Sequence, residues 1–390
     1  MTIVQQEPAS GVDARSWAVR MADSMIERHT PAAALWHYEH GLLLMAIERV
    51  WRATGDDKYW QHVKDTVDLF IDPDGNIRTY RMEEYNLDQI NPGKVLFRLY
   101  EVTRDERYKR AIMRLRRQLD RHPRTTAGGF WHKQIYPYQM WLDGVYMAAP
   151  FYAECAQTFD ELSAFDDIAH QIILIEQHTR DPKTGLLYHA WDESKQQRWA
   201  NPETGCSPHF WGRAMGWFAM ALADVLDYFP EDHPRRAEII AIFDRTVEAA
   251  TNVQDKATGL WYQVLDQGVR AGNYLEASAS CMFTYAIAKG VRKGYIGADR
   301  LSVARNGFQG IVQNLITVDH QGLVSLNGIC SVAGLGGNPY RDGSYEYYVS
   351  EKVAANDYKG VGPFILAALE IEAVGATRRV APIRKKGDAQ

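Results

Sequence analysis

Six segments of this chain are apolar on every helical face, and six others, set between them, are apolar on one face only. The first set reads Gly41-LLLMAIERVW, Gly93-KVLFRLYEV, Gly144-VYMAAPFYAECA, Gly212-RAMGWFAMALADVL, Ser278-ASCMFTYAIAKGV and Gly360-VGPFILAALEIEA, each opening on small residues. The second is marked by stripes: Trp17, Met21 and Met25; Tyr59, Val63 and Val67; Tyr108, Ile112, Leu115 and Leu119; Ile168, Ile172 and Ile175; Ile239, Phe243 and Val247; Phe308, Val312 and Leu315. Apolar residues three or four apart share one side of a helix. A helix apolar all round must be enclosed, whereas a striped one can face water. The economical arrangement is six inner helices ringed by six outer ones, an all-α (α/α)6 barrel.

Turn signals fall where breaks are needed, at Ala53-TGDD, Asp181-PKTG and Asp255-KATG. No linker divides the chain, so a single domain over about residues 10–375 is expected, with disordered ends at 1–9 and 376–390. A solenoid of helical hairpins would show more regular repeats. Here the inner segments start at 41, 93, 144, 212, 278 and 360, and their spacing lengthens along the chain. Loops have therefore grown on the later repeats, and loops on a rigid scaffold are where function usually sits.

The residues ahead of each inner segment are Trp36-HYEH, Asn86-LDQINP, Trp141-LD, Pro208-HFWGR, Tyr274-LEAS and Asn356-DYKG. If the inner helices run in one direction, these six stretches meet at one mouth, where polar side chains beside an apolar interior suit a pocket for a polar ring. Asp143 and Asp88 stand there. Each is an equally good helix N-cap or a catalytic carboxyl, and a pair can divide acid and base roles because burial and a charged neighbour shift one relative to the other. Arg213 and Lys133 are candidates for a substrate carboxylate, the guanidinium through two parallel hydrogen bonds. His40, His132, His189 and His209 are candidates for hydroxyl or carboxylate contacts. Trp141, Trp211 and Trp217 either stack on sugar faces or plug the core.

Several function classes are excluded by totals. A net charge of −5 offers no basic field to a nucleic-acid backbone, and no apolar stretch reaches the length of a membrane span. The 46% hydrophobic and 24% charged shares are those of a globular protein with a large core. Cys155, Cys206, Cys281 and Cys330 are far apart and form no paired metal motif, so structural thiols and a cytoplasmic setting are expected. No HExxH or similar ligand spacing occurs, and no metal or cofactor is predicted. The Gly-rich stretch Ala333-GLGGNPYRDGSYEYY lacks the context of a nucleotide loop.

The blocks WHYEHG, NLDQINPGK, GGFWHK, MWLDGVYMAAPFYAE, SPHFWGRAMGWFAMAL, LEASASCMFTYAIAKG, GGNPYRDGSYEYY and NDYKGVGPFILA, in this order over about residues 13–375, resemble glycoside hydrolase family 105, the unsaturated rhamnogalacturonyl hydrolases. The resemblance implies the same barrel, with Asp143 as general acid and base and Asp88 as the assisting carboxylate. It implies a sugar subsite lined by His189, Trp211, Arg213 and Trp217, with Tyr38, His132, Lys133 and Trp141 also at the substrate. It implies an unsaturated oligosaccharide as substrate, no cofactor, and a monomer or weak homo-oligomer.

The chemistry so implied is hydration of an enol ether. Asp143 would protonate C4 of a 4,5-unsaturated uronide, leaving positive charge on C5 and the ring oxygen. Water would add at C5 and surrender its proton to the carboxylate, and the hemiketal would open with loss of the aglycone. An ordinary glycosidase instead needs two carboxyl groups straddling the glycosidic bond. The alternatives are an unsaturated glucuronyl hydrolase acting on glycosaminoglycan- or ulvan-type disaccharides, another (α/α)6 sugar enzyme, and a non-catalytic helical scaffold.

Overall fold

The computed structural model describes residues 16–377. Residues 10–15 of the expected domain and the expected ends 1–9 and 378–390 lie outside the described residues. The inner helices are α2 (Tyr38–Thr54), α4 (Lys94–Thr103), α6 (Leu142–Thr158), α8 (Gly212–Val225), α10 (Ala277–Lys293) and α13 (Tyr358–Thr377). Their outer partners are α1 (Trp17–Arg28), α3 (Asp57–Asp68), α5 (Glu106–Arg121), α7 (Ala164–Thr179), α9 (Arg236–Asn252) and α11 (Leu301–Asn314), and a short α12 (Tyr345–Ser350) sits in the last long loop. Neighbouring inner helices pack in order, and α13 returns to α2, which closes the ring. The (α/α)6 barrel is thus present. Helix α13 continues through residues 376 and 377, which had been expected among the ends.

The apolar-all-round segments are enclosed as their composition requires. Every residue of α8 is buried, and α6 and α10 are nearly so. The small residues at their starts allow close approach. A Cβ on Gly41 would stand 2.5 Å from the Cα of Pro92, and one on Gly216 would stand 2.9 Å from the Cβ of Met282. Pro150 lies inside α6 and cannot donate to the carbonyl four residues back. That carbonyl, on Tyr146, instead accepts from Asn91 Nδ2 at 3.4 Å.

Five of the six outer stripes face the core as read. The sixth is rotated: α11 buries Leu301, Ala304, Gly307, Gly310 and Ile311, while Phe308 and Val312 are half-buried and Leu315 lies just past the helix. Glycine is the cause. A Cβ on Gly310 would sit 2.0 Å from the carbonyl oxygen of Thr258, so the small residues, not the large ones, form the contact face.

Three two-stranded antiparallel sheets interrupt the helical plan: β1 (Gln139–Trp141) with β2 (Ala190–Asp192), β3 (Ile316–Val318) with β4 (Val324–Leu326), and β5 (Ile329–Cys330) with β6 (Val353–Ala354). The first ties the α5–α6 connection to the α7–α8 connection, and the other two fold the long connection between α11 and α13 back on itself.

Candidate active site

Strand pairing brings the first two candidates together. Trp141 opposes Ala190 in the β1–β2 ladder, and the next amide, Leu142 N, donates to His189 O at 3.1 Å. Asp143 therefore enters α6 beside His189. The Asp143 side chain is not the helix cap: the N-cap position belongs to Trp141, with no side-chain capping bond. His189 Nε2 stands 3.3 Å from Asp143 Oδ2, and neither atom has a hydrogen-bond partner of regular geometry although both are buried. The other ring nitrogen, Nδ1, shares a hydrogen bond of 2.8 Å with the hydroxyl of Tyr348. The two unsatisfied atoms thus face each other, an arrangement that is costly while no regular hydrogen bond joins them, and the Asp143 side chain as a whole is 13% exposed.

Asp88 is held differently. It sits in a 3₁₀ turn, Leu87–Gln89, which Asn86 caps by accepting from Asp88 N at 3.0 Å. A bridge between Asn86 and Lys133, with Leu87 N donating to His132 O at 3.3 Å, lays the two loops side by side. Lys133 Nζ consequently lies 2.5 Å from Asp88 Oδ2, with His132 Nε2 at 3.7 Å and His37 Nε2 at 3.8 Å. Burial alone would raise the Asp88 pKa, but the Lys133 charge, followed by His132 and His37, outweighs it and holds the carboxyl below its usual range. Burial also pushes the His132 imidazole down to about 4, although the Asp88 and Asp143 carboxylates pull it upward. At neutral pH the pair is a carboxylate and an ammonium beside a neutral imidazole.

Lys133 is thereby engaged with Asp88 instead of standing free for a substrate carboxylate. Arg213, 1% exposed, donates from Nη1 to Ser278 Oγ at 3.3 Å and to the carbonyl of Cys330, and its guanidinium lies 4.7 Å from the Trp211 ring centroid. Ser278 in turn donates to Glu276, whose carboxylate also accepts from Ala279 N and Cys330 N. Among the described residues nothing bonds Nε or Nη2 of Arg213, so one edge of the fork remains for a ligand. Tyr38, first residue of α2, lies within reach of the charges of Asp88, Arg213 and Asp143; burial is the main reason its phenol stays neutral.

The tryptophans are walls. Trp211 and Trp217 are each 1% exposed; Trp211 donates to Gln263 Oε1, and Trp217 stacks on Tyr146 with centroids 4.7 Å apart. His132 and Tyr136 stack on Trp141 at 4.6 and 4.9 Å and lie 6.4 Å from each other. Rings on opposite faces would be about 7 Å apart or more, twice the ~3.5 Å contact distance of carbon. Both therefore cover the same face of Trp141, while His189 meets it edge-on. His40 belongs to another cluster, against His29 and Tyr358, and His209 packs on Tyr345.

His37, Tyr136, Glu276 and Tyr348 escape the sequence reading. Each lies inside or next to a quoted block, WHYEHG, GGFWHK, LEASAS or GGNPYRDGSYEYY, but as a neutral or capping residue it carried no spacing signal of its own. Among the described residues, no group of three or more His, Cys, Asp or Glu could hold a metal ion, and no helix is long and apolar enough to cross a membrane.

The sequence profile of Glycosyl Hydrolase Family 88 matches residues 17–374. A solved glycoside hydrolase from family 105 of C. acetobutylicum ATCC 824 is 50% identical, with a TM-score of 0.90 over 92% of this chain and 100% of that one. An unsaturated rhamnogalacturonyl hydrolase of Bacillus subtilis (strain 168) is 27% identical over 271 residues, 68% of this chain and 74% of that protein. An unsaturated glucuronyl hydrolase specific for heparin shares the fold alone, at 13% identity and a TM-score of 0.67 over 92% of this chain and 96% of that one.

Proposed function

The chain belongs to glycosyl hydrolase family 88, and from that premise we propose that it removes a 4,5-unsaturated galacturonate from the non-reducing end of lyase-generated rhamnogalacturonan oligosaccharides. The observation that carries the reading is the inequality of the two carboxyl groups. Asp88 is pinned as an anion by Lys133, so it is a poor proton donor. Asp143 has an oxygen with no regular hydrogen bond, and among the described residues its ion-pair contact is with the His189 imidazole, not with a lysine or arginine. One available acid suits the protonation of a C4=C5 bond, whereas a glycosidase that cleaves saturated sugars needs two.

In this reading Asp143 donates to C4, and positive charge develops at C5 and the ring oxygen. The fixed negative charge of Asp88 stabilises that cation. Water adds at C5, its proton returns to Asp143, and the hemiketal opens to release the aglycone. Arg213 offers its free edge to the uronate carboxylate. The likeness to the Bacillus subtilis enzyme supports rhamnose as the neighbouring sugar, and four buried, unbridged cysteines support a cytoplasmic setting.

The test offers unsaturated disaccharides made by lyases from rhamnogalacturonan, chondroitin and ulvan, and follows loss of the ultraviolet absorbance of the conjugated uronate. The rhamnogalacturonan product should be consumed fastest, and Asp143→Asn should lower kcat by about 10²–10⁴-fold. Faster turnover of the chondroitin or ulvan product would replace the substrate assignment, and an active Asp143→Asn variant would remove the mechanism.

A further inference from the structure

The barrel has a second polar chamber, at the end opposite Asp143. Tyr146 and Trp217, stacked across the axis, separate the two. Behind them lies a cavity of about 760 Å³ walled by the C-terminal halves of α2, α4, α6, α10 and α13 and by Asp227 and Tyr228 just past α8. None of the residues assigned to sugar chemistry lines it.

Its cations outnumber the acids that hold them. Lys289 is matched by Asp224 and Asp227 at 2.7 Å each, Lys293 by Asp227 at 2.9 Å, and Arg292 by Glu370. Arg49, Arg52 and Arg98, by contrast, converge on the single carboxylate of Glu48, at 3.6, 3.9 and 3.3 Å. Arg98 has a second partner in Glu101 at 2.7 Å. Arg49 and Arg52 make no hydrogen bond among the described residues, and the Glu48 contacts are too long to be one.

Lys94 adds a fourth cation. It lines the inner recess of this chamber beside Arg49 and Glu48, is 7% exposed, and its Nζ has no hydrogen-bond partner. The ammonium lies 3.9 Å from the Tyr146 ring centroid, and burial pulls it down to about 7. Glu154, also on the wall, is raised to about 7 chiefly by burial, so near neutral pH it and Lys94 are both only partly ionised. Burial, and then the charges of Arg49 and Arg98, depress Arg52 as well. Crowded guanidinium forks with open edges, and an unpaired ammonium aimed at the same space, are what bidentate recognition of an oxyanion requires.

We propose that this rear chamber is a binding site for a small oxyanion-bearing molecule, its phosphate or carboxylate group seated between the Arg49 and Arg52 guanidiniums with Lys94 behind it. The chamber is large enough for a metabolite, and its lining shares no residue with the proposed sugar subsite.

Isothermal titration of the full chain at low ionic strength, with inorganic phosphate in one arm and malonate in the other, tests this. Saturable binding of one anion per chain is expected, and the tighter arm identifies the group. Arg49→Gln should weaken it by about tenfold or more, and Arg52→Gln, nearer the rim, should do the same if Arg49→Gln fails to fold. Asp143→Asn and Arg305→Gln, the latter on the exposed face of α11, should leave it unchanged. No saturable binding of either anion would overturn the proposal, as would binding that survives Arg49→Gln and Arg52→Gln but is lost in Arg213→Gln.

Discussion

Replacing Lys133 by Met would leave Asp88 without the one permanently charged partner it has among the described residues. The pair is separated by 2.5 Å, and the side chains are 21% and 7% exposed. Removing one partner of a buried pair typically costs ~3–5 kcal/mol, because the other charge stays behind unpaired. Water reaching Lys133 moderates this to about 2–4 kcal/mol. His132 and His37 cannot take over at neutral pH without gaining protons, and burial opposes that at His132. Chemical denaturation at pH 7 should show the loss, and Asp88→Asn together with Lys133→Met should recover about 2 kcal/mol of it, since no orphan charge remains. The Asp88 pKa should also rise in Lys133→Met, moving the acid limb of the kcat profile to higher pH. A single variant within ~0.5 kcal/mol of wild type, with an unchanged profile and no recovery in the double variant, would refute the view that Lys133 exists to ionise Asp88.

Three further outcomes follow from other parts of the molecule. Tyr348→Phe deletes the hydroxyl that fixes the His189 ring, and at about 1 kcal/mol for such a bond kcat should fall roughly fivefold with KM nearly constant; steady-state kinetics in which only KM moves would assign Tyr348 to binding. Gly310→Ala should gain ~1 kcal/mol by helix propensity but lose about 2–4 kcal/mol to the collision with Thr258 O, so thermal melting should show net destabilisation, and a raised Tm would contradict the packing assigned to α11. Burial first, and for His29 the charges of His62 and His40, push His29 and His122 down to about 4. The unfolded chain, with histidines near 6.5, binds more protons between those values. Stability present above pH 6.5 should therefore drain away as pH falls toward 4, by up to about 3 kcal/mol per group, and His122→Gln should flatten that slope in urea titrations.

The ring of twelve helices was legible because burial on all sides and burial on one side leave different apolar patterns, and those patterns survive any loop length. The α11 stripe misled for a reason in the same physics: Phe308 and Val312 looked like the contact face, yet Gly307 and Gly310 permit a closer approach than any large side chain. At the mouth, Asp143 and Asp88 were visible as carboxyls next to inner helices, but on spacing alone a cap and an acid are identical. The cap position falls two residues earlier, at Trp141, and the β1–β2 pairing that sets His189 beside Asp143 joins segments some fifty residues apart. Strands of three residues carry almost no periodic signal, so this contact could not be read from the pattern.

Loop growth explains how the mouth divides its labour. The early repeats supply the charged centre: Tyr38 as the first residue of α2, Asp88 in the connection before α4 and Asp143 at the start of α6. The later repeats supply its cradle. His189 arrives on the connection between α7 and α8, Arg213 at the start of α8, Glu276 before α10, and Tyr348 on the long insertion between α11 and α13. Two of those later groups act by orienting the others: Tyr348 holds His189, and Glu276 holds Ser278, which holds Arg213. Lengthening a loop far from Asp143 in sequence could thus re-aim the His189 ring beside it, or the Arg213 guanidinium, without disturbing the Asp88–Lys133 pair. The barrel keeps Asp143 on the first turn of α6 and Asp88 in a capped 3₁₀ turn ahead of α4, and under the proposed function it leaves the shape of the sugar subsite to the longer loops.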